Sequence, residues 1–151
     1  MGMWFEDYRV GDRIEHAGRL VVSEDDNRAF CLLTRNTQPL HLDRDAAIAA
    51  GYRDILVNGL FTFAASVGMT VRDLTEGTLV ANLGYEDVRH PKPVFPGDAL
   101  RVGSEVLEVR ASSKPGRGVV RIGHEVRNQH DEVVCVYNRT VMVLVRPSAT
   151  S

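Results

Sequence analysis

Val57-Asn58-Gly59-Leu60-Phe61-Thr62-Phe63-Ala64-Ala65-Ser66-Val67-Gly68-Met69-Thr70-Val71 is the stretch whose reading decides the fold. Wound at 3.6 residues per turn, its apolar residues point almost all round. A helix apolar on nearly every side is buried rather than surface-lying. Asn58 or Gly59 begins it. Such a helix needs a cover, and the second half of the chain supplies one. Leu79 to Tyr85, Ala99 to Arg110, Val119 to Asn128 and Val133 to Arg146 are strand-like, rich in β-branched residues. Turn signals separate them: His90-Pro91-Lys92-Pro93, Pro96-Gly97-Asp98, Ser113-Lys114-Pro115-Gly116, and Asn128 to Glu132. Consecutive strands with short turns make an antiparallel sheet.

The first half leads into this helix through smaller elements. Trp4 to Asp12 is an aromatic-rich lead-in closing on a Gly-Asp turn, and Arg19 to Val22 reads as the first strand. Ser23 caps a helix whose first turn holds Glu24, Asp25 and Asp26, where carboxylates suit the positive end of the dipole. Phe30, Cys31, Leu32 and Leu33 are its inward side. Asn36 to Asp43 is expected to run extended, because Pro39 fixes its own φ and disfavours the α region at Gln38. Asp43 caps a second short helix that stops at Gly51. A sheet that wraps one buried helix is the hot-dog architecture, an α+β fold. Residues 1–146 read as a single domain and 147–151 as a disordered tail.

Bulk properties narrow the function. The 151 residues suffice for one domain with a real core. A net charge of −2 gives no hint of a nucleic-acid partner or a membrane surface. No run approaches the roughly 18 apolar residues of a membrane span. Residues 1–10 carry no signal-peptide pattern. Cys31 and Cys135 are too few for a disulfide framework and read as reduced core thiols. A cytoplasmic protein is expected. No clustered Cys/His spacing points to a metal, and no glycine-rich loop points to a nucleotide.

Three pieces together resemble the MaoC-like dehydratases, the group that includes the (R)-specific enoyl-CoA hydratases. They are Tyr8-Arg9-Val10-Gly11-Asp12, the Pro39-Leu40-His41-Leu42-Asp43 segment with Gly59 18 positions after the histidine, and Pro93-Val94-Phe95-Pro96-Gly97-Asp98. Family hydratases carry Asp-x-Asn-Pro-x-His; here the matching positions are Asn36, Gln38, Pro39 and His41. The variant Asn-Thr-Gln-Pro-Leu-His, followed by Val57-Asn58-Gly59-Leu60-Phe61, resembles a subgroup associated with C5 dicarboxylic acyl-CoAs. The resemblance implies a hydro-lyase that hydrates mesaconyl-CoA or dehydrates β-methylmalyl-CoA. It implies no cofactor beyond the CoA thioester substrate. The edge strands and leftover apolar surface of the fold favour a homodimer or dimer of dimers.

Adding water to an unsaturated thioester needs a base, a proton for the α-carbon, and donors for the enolate oxygen. His41 is the candidate base, against a plain structural histidine. Gly59 is the oxyanion candidate, since amides at a helix start point outward, against a packing glycine. Asn36 cannot titrate. Either it and Gln38 orient the water while His41 makes both transfers, the favoured reading, or Asp43 or Glu86 substitutes, or hydration is slow. Asn58, Thr62, Arg89 and Lys92 complete the substrate-binding candidates. The plain alternatives are an N-cap for Asn58 and a solvated strand end for Arg89 and Lys92. His124 reads as a packed sheet histidine, and His16 and His130 as turn residues. Competing functions are a hot-dog thioesterase and a non-catalytic acyl-CoA-binding subunit.

Overall fold

A computed structural model describes residues 1–148 of the chain. Short strands β1 (Arg13–Glu15) and β2 (Leu20–Val21) precede helices α1 (Glu24–Leu33), α2 (Pro39–Leu42), α3 (Arg44–Ala49) and α4 (Gly59–Leu74). Four long strands follow: β3 (Leu79–Arg89), β4 (Ala99–Ala111), β5 (Arg117–Arg127) and β6 (Val133–Leu144). The sheet order is β1-β4-β5-β6-β3, every pair antiparallel, with β2 also on β4. Pro147 and Ser148 lack regular structure, and 149–151 of the expected tail lie outside the described residues.

The local signals act as expected. Ser23 accepts the Asp26 N–H at 3.0 Å, Asp43 accepts those of Asp45 and Ala46, and Asn58 accepts that of Leu60. Each satisfies a donor that a helix start leaves orphaned. Gly51 takes a left-handed φ of 93° after α3, a conformation open to glycine without Cβ strain.

Four expectations need correction. The segment before Asp43 does not stay extended. Gln38 is extended, but Pro39 starts a helical turn that carries His41, because proline suits the first helical position, where no N–H is required. The inward side of α1 is narrower than Phe30 to Leu33: Cys31 is buried, while Leu33 is 83% exposed. A strand at Arg13–Glu15 was not anticipated; its three residues pair with Gly103 to Glu105 and carry little β signature of their own. The long helix is not buried on every side of the single chain. Thr62, Ser66, Thr70 and Leu74, at every fourth position, make its buried stripe, and Leu60 is 56% exposed.

The stripe has a physical logic. Small side chains let the helix axis approach the sheet. Ser66 and Thr70 turn their hydroxyls back to the carbonyls of Phe63 and Val67 at 2.7 and 2.8 Å, so their burial leaves no open donor. Phe61, Phe63, Val67 and Met69 pack from the flanks against Val102, Val126, Val134 and Tyr137. Each fully buried valine of that set contributes about 1.5–3 kcal/mol. Tyr8 donates its hydroxyl to the Leu74 carbonyl, pinning the far end of α4.

Candidate functional site

The near end of α4 is where the site forms. His41 Nδ1 lies 2.7 Å from the Leu56 carbonyl oxygen. A carbonyl only accepts, so Nδ1 carries the hydrogen and Nε2 keeps its lone pair. Leu56 in turn donates its N–H to the Leu40 carbonyl at 3.0 Å. The histidine turn and the chain entering α4 are thus locked together, and the remaining ring nitrogen keeps a lone pair that can accept a hydrogen bond or a proton.

Gly59 is the first residue of α4. Among the described residues no acceptor takes its N–H, which lies at the positive end of a 16-residue helix. The position of Gly59 is fixed from two sides. Val57 donates to the Val94 carbonyl at 2.9 Å, tying it to the Pro93–Asp98 turn. That turn is closed by Asp98, whose carboxylate accepts the Phe95 N–H at 2.9 Å. On the other side, Asn58 donates its N–H to the Asn27 side-chain oxygen at 2.9 Å.

Asn27 was missed in the sequence, where it reads as a helix residue among charges. It is fully buried. Its amide nitrogen donates to the His41 carbonyl at 3.0 Å while its oxygen accepts from Asn58. One side chain therefore sets the separation between the candidate base and the candidate oxyanion donor. The sequence carries no signal for this role, because the burial that defines it appears only in the fold.

His41, Gly59 and Thr62 line one cavity of about 330 Å³, with Tyr52, Leu56, Val57, His90, Lys92, Val94 and Val134 among its other walls. Thr62 is 1% exposed, and its hydroxyl has no partner among the described residues. Lys92 is held by Glu132 at 2.5 Å, and that contact holds the Glu132 carboxyl below its ordinary range. No aspartate or glutamate is part of the lining.

Other candidates lie elsewhere. Asn36 is half-buried, and its side-chain oxygen accepts the Gln38 N–H at 3.1 Å, forming the turn that leads to Pro39. Neither it nor exposed Gln38 is part of the cavity wall. Asn58 caps α4. Arg89 borders a different depression on the outer face of the sheet. Of the possible substitute carboxylates, Asp43 is engaged as a helix cap, and Glu86 pairs with Arg121 at 3.1 Å.

A second polar cluster sits between α4 and the sheet. Asp73 of α4 accepts from His16 Nδ1 at 2.7 Å, His16 Nε2 meets Ser104 at 2.7 Å, and Ser104 meets His124 Nδ1 at 2.8 Å. His16 is therefore a buried residue whose N–H bonds Val102, not a turn residue. His124 is packed in the sheet as expected, its ring 4.8 Å from that of Tyr137. Burial, with Arg139 and His16 adding positive charge, holds His124 down to about 3. Among the described residues no group of three or more His, Cys, Asp or Glu could hold a metal ion, and no helix is long and apolar enough to cross a membrane.

The MaoC like domain family matches residues 7–128, and the chain belongs to this family. It is 38% identical over 148 residues to the mesaconyl-CoA hydratase of Cereibacter sphaeroides, covering 98% of this chain and 43% of that protein. It is 34% identical to the beta-methylmalyl-CoA dehydratase of Chloroflexus aurantiacus, covering 96% and 41%. The chain thus spans about two fifths of the length of these relatives. A solved structure from Mycobacterium tuberculosis, Rv0216, described as a double hotdog fold, superposes with a TM-score of 0.88 at 25% identity, over 99% of this chain and 46% of that one. The antiparallel sheet around α4 is a hot-dog fold.

Proposed function

We propose that the chain is an acyl-CoA hydratase/dehydratase, a hydro-lyase acting on an α,β-unsaturated thioester. One observation carries the reading: His41, with Nδ1 fixed on a carbonyl, shares a cavity with Gly59, the first residue of α4, whose N–H has no acceptor among the described residues. His41 Nε2 takes a proton from water, and the water oxygen bonds to the β-carbon. The displaced π electrons pass through the α-carbon to the thioester oxygen, where Gly59 N–H and the helix dipole hold the charge. The enolate collapses, and the α-carbon takes a proton from the His41 imidazolium. Dehydration is the reverse.

The apolar walls Leu56, Val57, Val94 and Val134 keep bulk water from the enolate. Because no carboxylate lines the cavity, His41 carries both proton transfers. Asn36 acts by shaping the turn before it. Thr62 offers its unpartnered hydroxyl to the acyl group. Lys92, on the cavity wall in the turn after β3, serves the CoA or a substrate carboxylate by exchanging its Glu132 partner, whereas Arg89, the last residue of β3, borders the other depression. The similarity to a mesaconyl-CoA hydratase and a beta-methylmalyl-CoA dehydratase supports a C5 dicarboxylic thioester as substrate. No cofactor takes part beyond that thioester.

The working unit is a homodimer. β3 pairs on one side only, and it exposes Leu79, Leu83, Tyr85 and Val88. An 11-residue edge strand with exposed apolar side chains invites a second strand. A solved structure that is a double hot-dog, matched by this chain over 46% of its length, supports two such units side by side. The buried, unpaired thiols of Cys31 and Cys135 suit the reducing cytoplasm.

The test is to incubate the protein with mesaconyl-CoA and crotonyl-CoA, following loss of the enoyl absorbance and release of free thiol. Enoyl loss that disappears in His41→Ala is expected. Thiol release without hydration would instead indicate a thioesterase. Tight CoA binding with neither reaction would indicate a binding subunit, a reading the carboxylate-free cavity keeps in view.

A further inference from the structure

Gly59 has a neighbour that the hydration scheme has not used. A Cβ built on Gly59 would lie 3.0 Å from both Cε1 and Nε2 of His90. The imidazole therefore packs against the Cα of the first residue of α4. His90 follows the last residue of β3 and precedes Pro91, so a strand end and a proline hold its backbone. It lines the cavity together with His41 and Thr62. The neighbouring cation Lys92 is occupied by Glu132, whereas His90 is an exposed residue.

We propose that His90 is the second donor of the oxyanion site, its Nε2–H and the Gly59 N–H sharing the thioester carbonyl oxygen. This rests on the hydratase reading above. An oxygen at ~2.9 Å from a backbone N–H stays beside the same residue's Cα, which is where the His90 ring lies. An N–H-bearing neutral imidazole is a sufficient donor, so His90 neither gains nor loses a proton in the step. As water adds to the β-carbon, electron density moves onto the carbonyl oxygen. Two donors carried by different elements, α4 and the residue after β3, then stabilise it. The absence of a side chain at residue 59 acquires a second reason. It clears the N–H for substrate and leaves the space that His90 fills.

Two readouts test this on the intact protein. The first is kcat and KM for mesaconyl-CoA hydration in wild type, His90→Ala and His90→Gln. The expected result is a kcat loss on the order of 10² in His90→Ala, with KM changed little and activity partly restored by the amide donor of His90→Gln. The second needs no turnover. Methylsuccinyl-CoA, the saturated thioester, is labelled with ¹³C at its carbonyl, and its stretch is read by infrared spectroscopy when bound. Wild type is expected to lower the stretch, His90→Ala to relax it towards the free value, and His90→Gln to keep most of the shift.

Hydration with unchanged kcat and carbonyl stretch in His90→Ala overturns the role of His90 alone. A KM rise confined to the dicarboxylic thioester, with kcat and stretch intact, also overturns it and assigns His90 to the distal carboxylate. A wild-type protein that does not hydrate, yet whose carbonyl shift depends on His90, supports the donor while the hydratase reading fails. Neither hydration nor any shift overturns both.

Discussion

Asn27 donates its side-chain amide to the backbone carbonyl of His41 at 3.0 Å, and through the oxygen of the same amide it holds Asn58, the residue before Gly59. The two halves of the candidate site come from different parts of the chain. This buried bridge from α1 fixes how far apart they stand.

Asn27→Ala is therefore expected to damage activity and stability together. It leaves the buried Asn58 N–H and the part-buried His41 carbonyl without partners, at a cost of about 1–3 kcal/mol for the former and less for the latter. Urea unfolding should show a lower midpoint, and hydration by the variant still folded should fall. Full activity in a destabilised Asn27→Ala would disconnect the bridge from the site.

Gly59→Ala separates folding from chemistry in the opposite way. Alanine in place of glycine favours a helix by up to ~1 kcal/mol, and the clash is with an exposed histidine ring that can swing aside. Thermal stability should hold or rise while kcat falls, on the order of 10². The measurement is a melting curve beside a rate.

Thr62→Val removes a buried hydroxyl that the protein itself leaves unpartnered. Desolvating that hydroxyl contributes nothing in return, so the near-isosteric valine should leave the fold as stable or more so. Acyl-CoA binding should weaken if the hydroxyl meets the acyl group. Titration by calorimetry against wild type reads this directly, and equal affinity would return Thr62 to a packing role.

Acid should unfold the protein partly through His124. Its folded value near 3 lies below the usual 6.5, so between those values the unfolded chain binds the proton more readily. Stability is fully present above about 6.5 and is lost as pH falls toward 3. The groups around it are Ser104 and His16, with Asp73 behind them, and Tyr137 and Arg139 on β6. Unfolding free energy measured from pH 7 to pH 4 should fall, and a His124→Gln variant should show a shallower slope over that range.

Much of the architecture was legible because its signals are local. A serine before three acids, an aspartate before an alanine run, and a Pro-Gly-Asp turn each act within a few residues. The four long strands lie close to their expected bounds for the same reason. Leu32 and Leu33 were misjudged because a run of apolar residues does not say which of them meets the core. The single-turn α2 was read as extended because proline constrains the residue before it, yet also opens a helix.

His41 and Gly59 could be singled out from type and spacing. Asn27 and His90 could not, because each acquires its role from a partner at least 14 residues away: His41 for one, Gly59 for the other. The His16–Ser104–His124 chain is likewise assembled from β4, β5 and the segment after β1. By itself the sequence determined the long helix and the four long strands, the caps and turns, the hot-dog class and a histidine and a helix start as candidate site residues, since backbone propensity and hydrophobic period act over a few residues. Only the tertiary structure decided which face of α4 is buried, which amide spans the site and which histidine lies over Gly59, because those follow from side chains meeting across packed elements.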